Sequence, residues 1–477
     1  MLTLKSDVEK IEAELLELVR MFDSGNLLKD IAIVFYYNKL ADSIIITIDG
    51  KEYKFEKTVL PHINSHEIRK FFVRTCKIAL YKALKSHFKH DLPWGALTGI
   101  RPTKMLYEML GQGVLLKNAV KNLEDQYFVS PKKTRLVAEI VKNQNEQLLK
   151  KEDRKRFINL YVHIPFCPSR CNYCSFVSVP MVKQKQLVAS YIKQLIEEIE
   201  VSKAIIQKNN QVLFSVYIGG GTPTSLNDSD FEAVLNAIGK NETKIEYTVE
   251  AGRPDTITKE KCDLMKRFGV TRVSVNPQSL HNKTLQNIGR LHTAQDFFTA
   301  YEIAKKHYFD INVDLIAGLQ GEKQKDFLYT LDRILDLKPE NLTIHTLCQK
   351  RGSEAIINNQ NCRGDGLWLM PKVSDMIDDS ISKLTQVDYR PYYLYRQKNA
   401  LDNLENIGFS LPNKQCVNNI TVMEEILSVI ACGAGAISKR IFIKDNRIER
   451  LATPKDIKCY LERKEEVLKK KKIFFKK

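Results

Sequence analysis

The sequence predicts an α/β fold with a small α+β unit in front of it and an extension behind it, and three observations carry that reading. Apolar runs of strand length alternate with amphipathic helical stretches from about residue 158 to 350. The residues with chemistry to offer cluster at the ends of those strand runs. Before residue 150 and after 350 the alternation is absent. The expected divisions are therefore 1–150, 158–350 and 351–477.

The first unit opens with alternating Ile45-Thr47-Asp49 and Tyr53-Phe55 around Asp49-Gly50, the pattern of a β-hairpin with a tight turn. Helical patterns follow at about 66–88, 104–111 and 131–150, with Pro102 placed for a first helical turn. No catalytic constellation is visible here. The charged stretch from Lys150 to Arg156 reads as a linker.

In the second region the strand candidates are Leu160–Ile164, Leu213–Ile218, Ile245–Glu250, Arg272–Val275, Ile311–Ile316 and Leu342–His345. Helical stretches at 186–206, 229–239, 258–268, 295–307 and 324–336 separate them. Such alternation implies a parallel sheet with crossover helices, either an open doubly wound sheet or a partial barrel. Periodicity does not choose between them. In both, sites form at the carboxyl ends of parallel strands. Those ends carry three cysteines, Gly219-Gly220-Gly221-Thr222, Glu250, Gln278 and Asp314. Beyond 350 an aromatic-basic stretch, Tyr389–Arg396, and then Cys432-Gly433-Ala434-Gly435-Ala436 read as an extension covering the barrel mouth.

Composition narrows the class. Apolar residues make up 43% and charged residues 27%, as in ordinary globular chains. No secretory signal or apolar stretch of spanning length is evident, so a cytoplasmic location is expected. In a reducing compartment the ten cysteines are thiols or ligands. Seven are scattered and read as small buried hydrophobes: Cys76, Cys262, Cys348, Cys362, Cys416, Cys432 and Cys459. The net charge of +17 favours anionic partners, a polycarboxylate among them. The run Lys469–Lys472 reads as a frayed charged tail or as a membrane or RNA patch.

The segment Tyr161-Val162-His163-Ile164-Pro165-Phe166-Cys167 through Cys171 to Cys174 decides the chemistry. Its C-x3-C-x2-C spacing on a loop leaving the first strand lets three thiolates hold one face of a cubane, leaving one iron open. Tetrahedral zinc is the alternative, with His163, four residues before Cys167, as the available fourth ligand. The strand position of His163 commits its side chain to one face.

This motif resembles the signature of the radical S-adenosylmethionine (SAM) superfamily. With Gly219–Thr224, Arg272–Ser279, Arg290-Leu291-His292, Val313–Leu319 and Gly433–Ser438, the chain over about 158–440 resembles the oxygen-independent coproporphyrinogen III oxidase family. The resemblance implies a radical SAM partial (β/α)6 barrel, a [4Fe–4S] cluster on Cys167, Cys171 and Cys174, and bound SAM. It further implies SAM contacts from Gly220, Gly221, Thr222, Glu250, Gln278, Arg290 and Asp314, with Tyr161 near the cluster and Ile437 on the adenine. Arg290 suits a carboxylate through its fork of donors.

The implied reaction is oxidative decarboxylation of two propionates of coproporphyrinogen III, giving protoporphyrinogen IX. Its partners are a tetrapyrrole substrate and a one-electron reductant such as flavodoxin or ferredoxin; no stable nucleic acid or membrane partner is expected. No residue is assigned to the chemical step.

Two departures bear on the branch. The decarboxylase branch has a fourth cysteine two residues after the third ligand, where this chain has Phe176. The haem-chaperone branch has a late His-Asn and Tyr-Trp; the region Tyr392–Asn399 has no histidine, and the tryptophans are Trp94 and Trp368. The N-terminal extension, Arg101-Pro102-Thr103-Lys104 and the Cys-Ser-Phe ending resemble the branch often called coproporphyrinogen dehydrogenase HemZ. Arg396 and Lys398 are expected to face propionates. A haem carrier and a radical SAM RNA-modifying enzyme stand as alternatives.

Overall fold

The computed structural model describes residues 3–6, 11–22, 31–38, 43–56, 65–99, 101–144, 148–150, 152–174, 176–242, 245–348, 373–443 and 447–476. Cys362, Trp368 and Ser175 lie outside them. Two compact units are present: Met1–Val141 with 396–398 and 402–404, and the remainder from Lys142 to Lys477.

In the first unit, strands β1 (Thr3–Ser6), β2 (Ala32–Asn38), β3 (Ser43–Ile48) and β4 (Lys51–Glu56) form a sheet in that order. The β3–β4 hairpin turns at Asp49-Gly50, where both residues take positive φ, as the pair's tight turn requires. Ile44, Ile46 and Ile48 alternate into a core shared with Leu15, Leu18, Leu80 and Leu84 of helices Glu12–Phe22 and Ser65–Phe88. Each such fully buried side chain contributes about 1.5–3 kcal/mol.

Arg396 and Lys398 belong to this unit and not to a substrate wall. Arg396 is buried, lies over the Trp94 ring and donates to the Leu97 carbonyl, while Lys398 pairs with Glu17. Their contacts come from residues too distant in sequence to be anticipated.

The second unit is built on an α/β sheet. Its parallel strands are β5 (Phe157–Ile164), β8 (Val212–Gly220), β9 (Glu246–Val249), β10 (Arg272–Ser274), β11 (Asp310–Ala317) and β12 (Asn341–Thr346). Between β5 and β8 lies a short parallel pair, β6 (Phe166–Cys167) and β7 (Val179–Pro180). The six strands neighbour one another strictly in chain order. A doubly wound sheet would reverse direction at a switch point, so the order is that of a singly wound (β/α)6 sheet.

Residues 390–452 extend this sheet at both edges. β14 (Glu405–Ser410) pairs antiparallel with β12 and carries β13 (Arg390–Arg396) outside it. β15 (Ser428–Cys432) pairs parallel with β5, followed by β16 (Ile437–Phe442) and β17 (Arg447–Ala452).

The lysine run is a helix, Lys464–Phe474, and not a tail. Lys471 is buried: its Nζ lies 2.7 Å from Glu198 of helix Met181–Lys208 and donates to the Ala431 carbonyl at 2.6 Å. Glu198 also accepts from the Gly433 N–H at 2.8 Å and from the Tyr460 hydroxyl at 2.6 Å. Burial opposes the charge on Lys471, but Cys432 and Glu198 outweigh it and raise its pKa. Among the described residues no helix is long and apolar enough to cross a membrane.

Of the scattered cysteines, Cys76, Cys262, Cys416 and Cys432 are buried as expected, whereas Cys348 is half-buried and Cys459 exposed. Cys459 sits on the short helix Ile457–Glu462, whose buried positions are Ile457 and Tyr460.

Breaking a buried pair strands the remaining charge. Lys471→Met is expected to cost about 3–5 kcal/mol in denaturant titrations of the whole chain, and Glu198→Gln on top of it to recover part of that loss. An unchanged midpoint in the single variant would contradict the buried pair.

Candidate functional site

The site is built at the carboxyl ends of the parallel strands, starting from the 167–174 loop. Cys167 ends β6; Cys171 is buried, Cys174 half-buried, and the Cys174 N–H donates to the Cys171 carbonyl at 3.1 Å. Burial pushes the Cys167 and Cys174 thiols up, and the neighbouring cysteines add to it. Each thiolate opposes the ionisation of its neighbours, so a cation among them would draw off their protons. Among the described residues, no three His, Cys, Asp or Glu side chains close around a point of single-ion size. A cubane is wider and takes its thiolates at separate corners. His163 is no fourth zinc ligand: its Nδ1 meets the Tyr161 hydroxyl at 3.1 Å and its Nε2 the Val177 carbonyl at 3.1 Å.

The loop is held from outside. The Asn172 N–H donates to the Ile288 carbonyl at 3.1 Å, its side-chain amide donates to Asn287 at 2.6 Å, and Ser169 Oγ donates to Gly289 at 3.0 Å. The guanidinium of Arg290 is buried behind it, donating to the Gly252 and Asn276 carbonyls and to the Tyr173 hydroxyl at 2.9–3.1 Å. The fork expected to clamp a ligand carboxylate is therefore engaged with protein oxygens, and only its Nε–H is buried without a partner.

Beside the loop runs the turn after β8. The Gly221 and Thr222 N–H groups donate to the Ile164 and Phe166 carbonyls, at 2.7 Å each, and Thr222 Oγ1 lies 3.5 Å from Cys167 Sγ. Gly220 has φ +109°, and a Cβ there would strike the His163 ring at 2.5 Å; one on Gly221 would strike the Phe166 carbonyl oxygen at 2.5 Å. Side chains are excluded at Gly220 and Gly221, so this turn lies close against the strand before the cysteines.

One carboxylate, Glu250, meets this turn, and a second, Asp314, lies near Glu250. Glu250 accepts from the Tyr217 hydroxyl at 2.7 Å and from the Gly220 N–H at 3.2 Å. Burial, with the Asp314 charge adding to it, raises its pKa to about 6. Asp314 accepts from Asn276 and Asn312 amides at 2.7 Å each and lies 3.7 Å from His345 Nε2. Burial pulls the Asp314 pKa up, but bonds from His345, Asn312 and Thr343 outweigh it and hold the group below its ordinary value. The same contacts raise His345 against the burial that would lower it. Gln278 takes φ +68°, and its Oε1 is buried without a partner. Tyr161 stacks on Tyr217 at 6.1 Å.

Cys167, Thr222, Gly220, Glu250, Asp314, Gln278, Arg290 and Tyr161 thus lie in one connected region. Ile437, nearly half exposed at the start of β16, makes no bonded contact with that set. Phe176 is exposed. Sequence reading missed Arg253, Asn276, Asn312 and His345. For Arg253 the available signal was its place in Gly252-Arg253-Pro254, directly after a strand end. The orphaned Gln278 Oε1, the orphaned Arg290 Nε–H and the side-chain-free turn fit a polar small molecule next to a thiolate-held group.

A family model described as the radical SAM superfamily matches residues 161–334. The chain is 37% identical over 419 residues to the oxygen-independent coproporphyrinogen-III oxidase-like protein HemZ of Bacillus subtilis, covering 87% of this chain and 83% of that one. It is 34% identical over 192 residues to the haem chaperone HemW of the same organism, covering 39% and 49%. Coproporphyrinogen III oxidase (HemN) from Escherichia coli, a radical SAM enzyme, matches in structure with TM-score 0.51 at 21% identity, over 65% of this chain and 70% of that one, which establishes the shared fold. A [4Fe–4S] cluster and SAM are the cofactors of this superfamily and of this chain. The chain belongs to the radical SAM superfamily, within the family of oxygen-independent coproporphyrinogen III oxidase-like proteins.

Proposed function

We propose that the chain is a radical SAM oxidoreductase that decarboxylates two propionates of coproporphyrinogen III without oxygen. The observation that carries this is the long HemZ match, 87% of the chain, laid over a site in which cysteine loop, glycine turn and two carboxylates meet. Bound cluster and SAM together supply a 5′-deoxyadenosyl radical for hydrogen abstraction.

The remaining work belongs to the chain's own side chains. Cys167, Cys171 and Cys174 ligate the cluster. The Gly220–Thr222 turn would line the amino-acid end of SAM, and Glu250 and Asp314 would accept its hydroxyl or amino protons. Gln278 Oε1 and Arg290 Nε–H offer a buried acceptor and a buried donor to the same ligand. Tyr161 and Tyr217 wall the region with rings that exclude water.

The excess of lysine and arginine suits a tetrapyrrole substrate bearing several carboxylates, with a one-electron reductant as the other partner. The HemW match favours a second reading, haem carriage, but spans less than half of either chain. For the RNA-modification reading the lysine run offers less than its sequence implies, because it is a packed helix with Lys471 inside.

Replacing any one of Cys167, Cys171 or Cys174 by alanine is expected to abolish four-iron loading after anaerobic reconstitution, whereas Cys262→Ala and Cys459→Ala retain it. Full iron in Cys171→Ala would contradict the ligand set.

Glu250 accepts at both oxygens, and most strongly, when ionised. With its pKa at about 6, SAM affinity should be full above that value and fall by up to about tenfold per unit as pH drops below it. Glu250→Gln should weaken SAM about 10- to 100-fold with an unchanged cluster spectrum, and flatten the pH profile. Equilibrium binding between pH 5 and 8 checks both; a wild-type slope in Glu250→Gln would reassign the titrating group.

Anaerobic turnover with SAM, reductant and coproporphyrinogen III should yield products lighter by one and then two oxidative decarboxylations. Absence of such products from a fully loaded protein, together with stoichiometric haem binding, would move the chain to haem carriage.

A further inference from the structure

Arg253 is a buried cation whose placement the SAM pocket does not use. It follows the end of β9, just before the 3-10 turn Pro254–Thr256, and its side chain is 4% exposed. Nη1 donates to Ser169 Oγ at 3.0 Å and approaches the Ser169 carbonyl at 3.4 Å, both on the cysteine loop. The same nitrogen lies 4.0 Å from Cys171 Sγ. Nε and Nη2 are held by the two oxygens of Asp255, at 2.9 Å each, so the guanidinium plane is locked while one N–H edge faces the sulfur.

The surrounding charges make this edge matter. Arg290 donates to Tyr173 of the same loop. His292 is buried with neither ring nitrogen partnered; burial first, then the Arg290 charge, lowers its pKa to about 4, so it adds no charge at neutral pH. Asp255 is the anion directly paired with Arg253, and its carboxylate is 22% exposed, which leaves part of its field screened by water. Cys171 therefore faces a net positive, desolvated edge.

We propose that Arg253 sets the reduction potential of the cluster, with Asp255 moderating it. Accepting an electron places more negative charge on the iron–sulfur unit and its thiolates. A fixed cation a few ångströms from one thiolate stabilises that reduced form more than the oxidised one, and in a dry site the difference is large. The electron itself comes from the external one-electron reductant. Arg253 makes the transfer less uphill and acts as a positioning residue for the loop through Ser169. This rests on ligation of the cluster by Cys171 and its two partners and is independent of the substrate.

The test is an electron paramagnetic resonance-monitored potentiometric titration of the reconstituted full-length protein without SAM or substrate. Arg253→Met should lower the midpoint so that, at a fixed potential, the ratio of reduced to oxidised cluster falls about tenfold, ~59 mV for one electron. Arg253→Lys, which keeps the charge, should recover part of that fall.

Asp255→Asn should shift the midpoint in the opposite direction, because it removes the counter-charge and leaves the guanidinium. Ser169→Ala, which drops a loop contact but no charge, should leave the ratio within about threefold of wild type. These signs distinguish an electrostatic role from a structural one, which would move Arg253→Met and Asp255→Asn alike. Unchanged midpoints at full iron content, or shifts of the same sign, would overturn the proposal. If Arg253→Met loads no iron, Asp255→Asn decides it: a raised midpoint supports the proposal and any other overturns it. Loss of iron in all variants, wild type included, would instead reject the ligand assignment beneath it.

Discussion

The 167–174 loop must place three sulfurs with little regular structure of its own, so its shape is lent to it by the strand ends around it. Ile164 and Phe166 carbonyls are pinned by the Gly221 and Thr222 N–H groups, and the far side is tied to Asn287, Ile288 and Gly289. Both ties work only because backbones come close: a Cβ at Gly221 would lie 2.5 Å from the Phe166 carbonyl oxygen. Preorganisation of this kind keeps the entropy of ordering the loop out of cofactor binding. Everything else at the site is arranged around that fixed loop.

Charge is arranged with the same economy. Arg253 and Arg290 are buried beside the cysteine loop, while Glu250 meets the glycine turn and Asp314 lies near Glu250. The two carboxylates are kept different. Asp314 is surrounded by amides and by His345, which hold it ionised; Glu250 has fewer donors and titrates near 6. Behind the site, Lys471 and Glu198 form a buried pair, and Glu198 holds the Gly433 N–H of the loop that follows β15. A C-terminal helix is thus joined to the strand bordering the first barrel strand, β5.

The parallel strands and the helices between them were legible because each obeys a single period: strand runs are uniformly apolar, and helix faces repeat at 3.6. The cysteine spacing was legible because it is local. What escaped is what local pattern does not encode. Strands β13 to β17 flank the parallel strands, some with mixed burial such as that of Arg447–Ala452, and β14 and β15 pair with β12 and β5, strands distant in sequence. The run Lys469–Lys472 looks solvated because its neighbours are lysines; only the packed helix shows that Lys471 faces inward. Arg396 and Lys398 looked free for an anionic ligand for the same reason. Arg290 was found by its motif but misread in its geometry, since a fork of donors does not announce which oxygens it meets.

At the centre of this account is an open iron on a three-cysteine cluster, next to a pocket that presents SAM to it. Pulsed electron–nuclear double resonance on the reduced, reconstituted protein with SAM labelled at its amino nitrogen and carboxylate oxygens reads that contact directly. Hyperfine coupling of both labels to the cluster is expected in the wild-type protein, and its loss in Glu250→Gln at SAM concentrations below saturation. Label coupling absent at saturating SAM, with four irons bound, would contradict it.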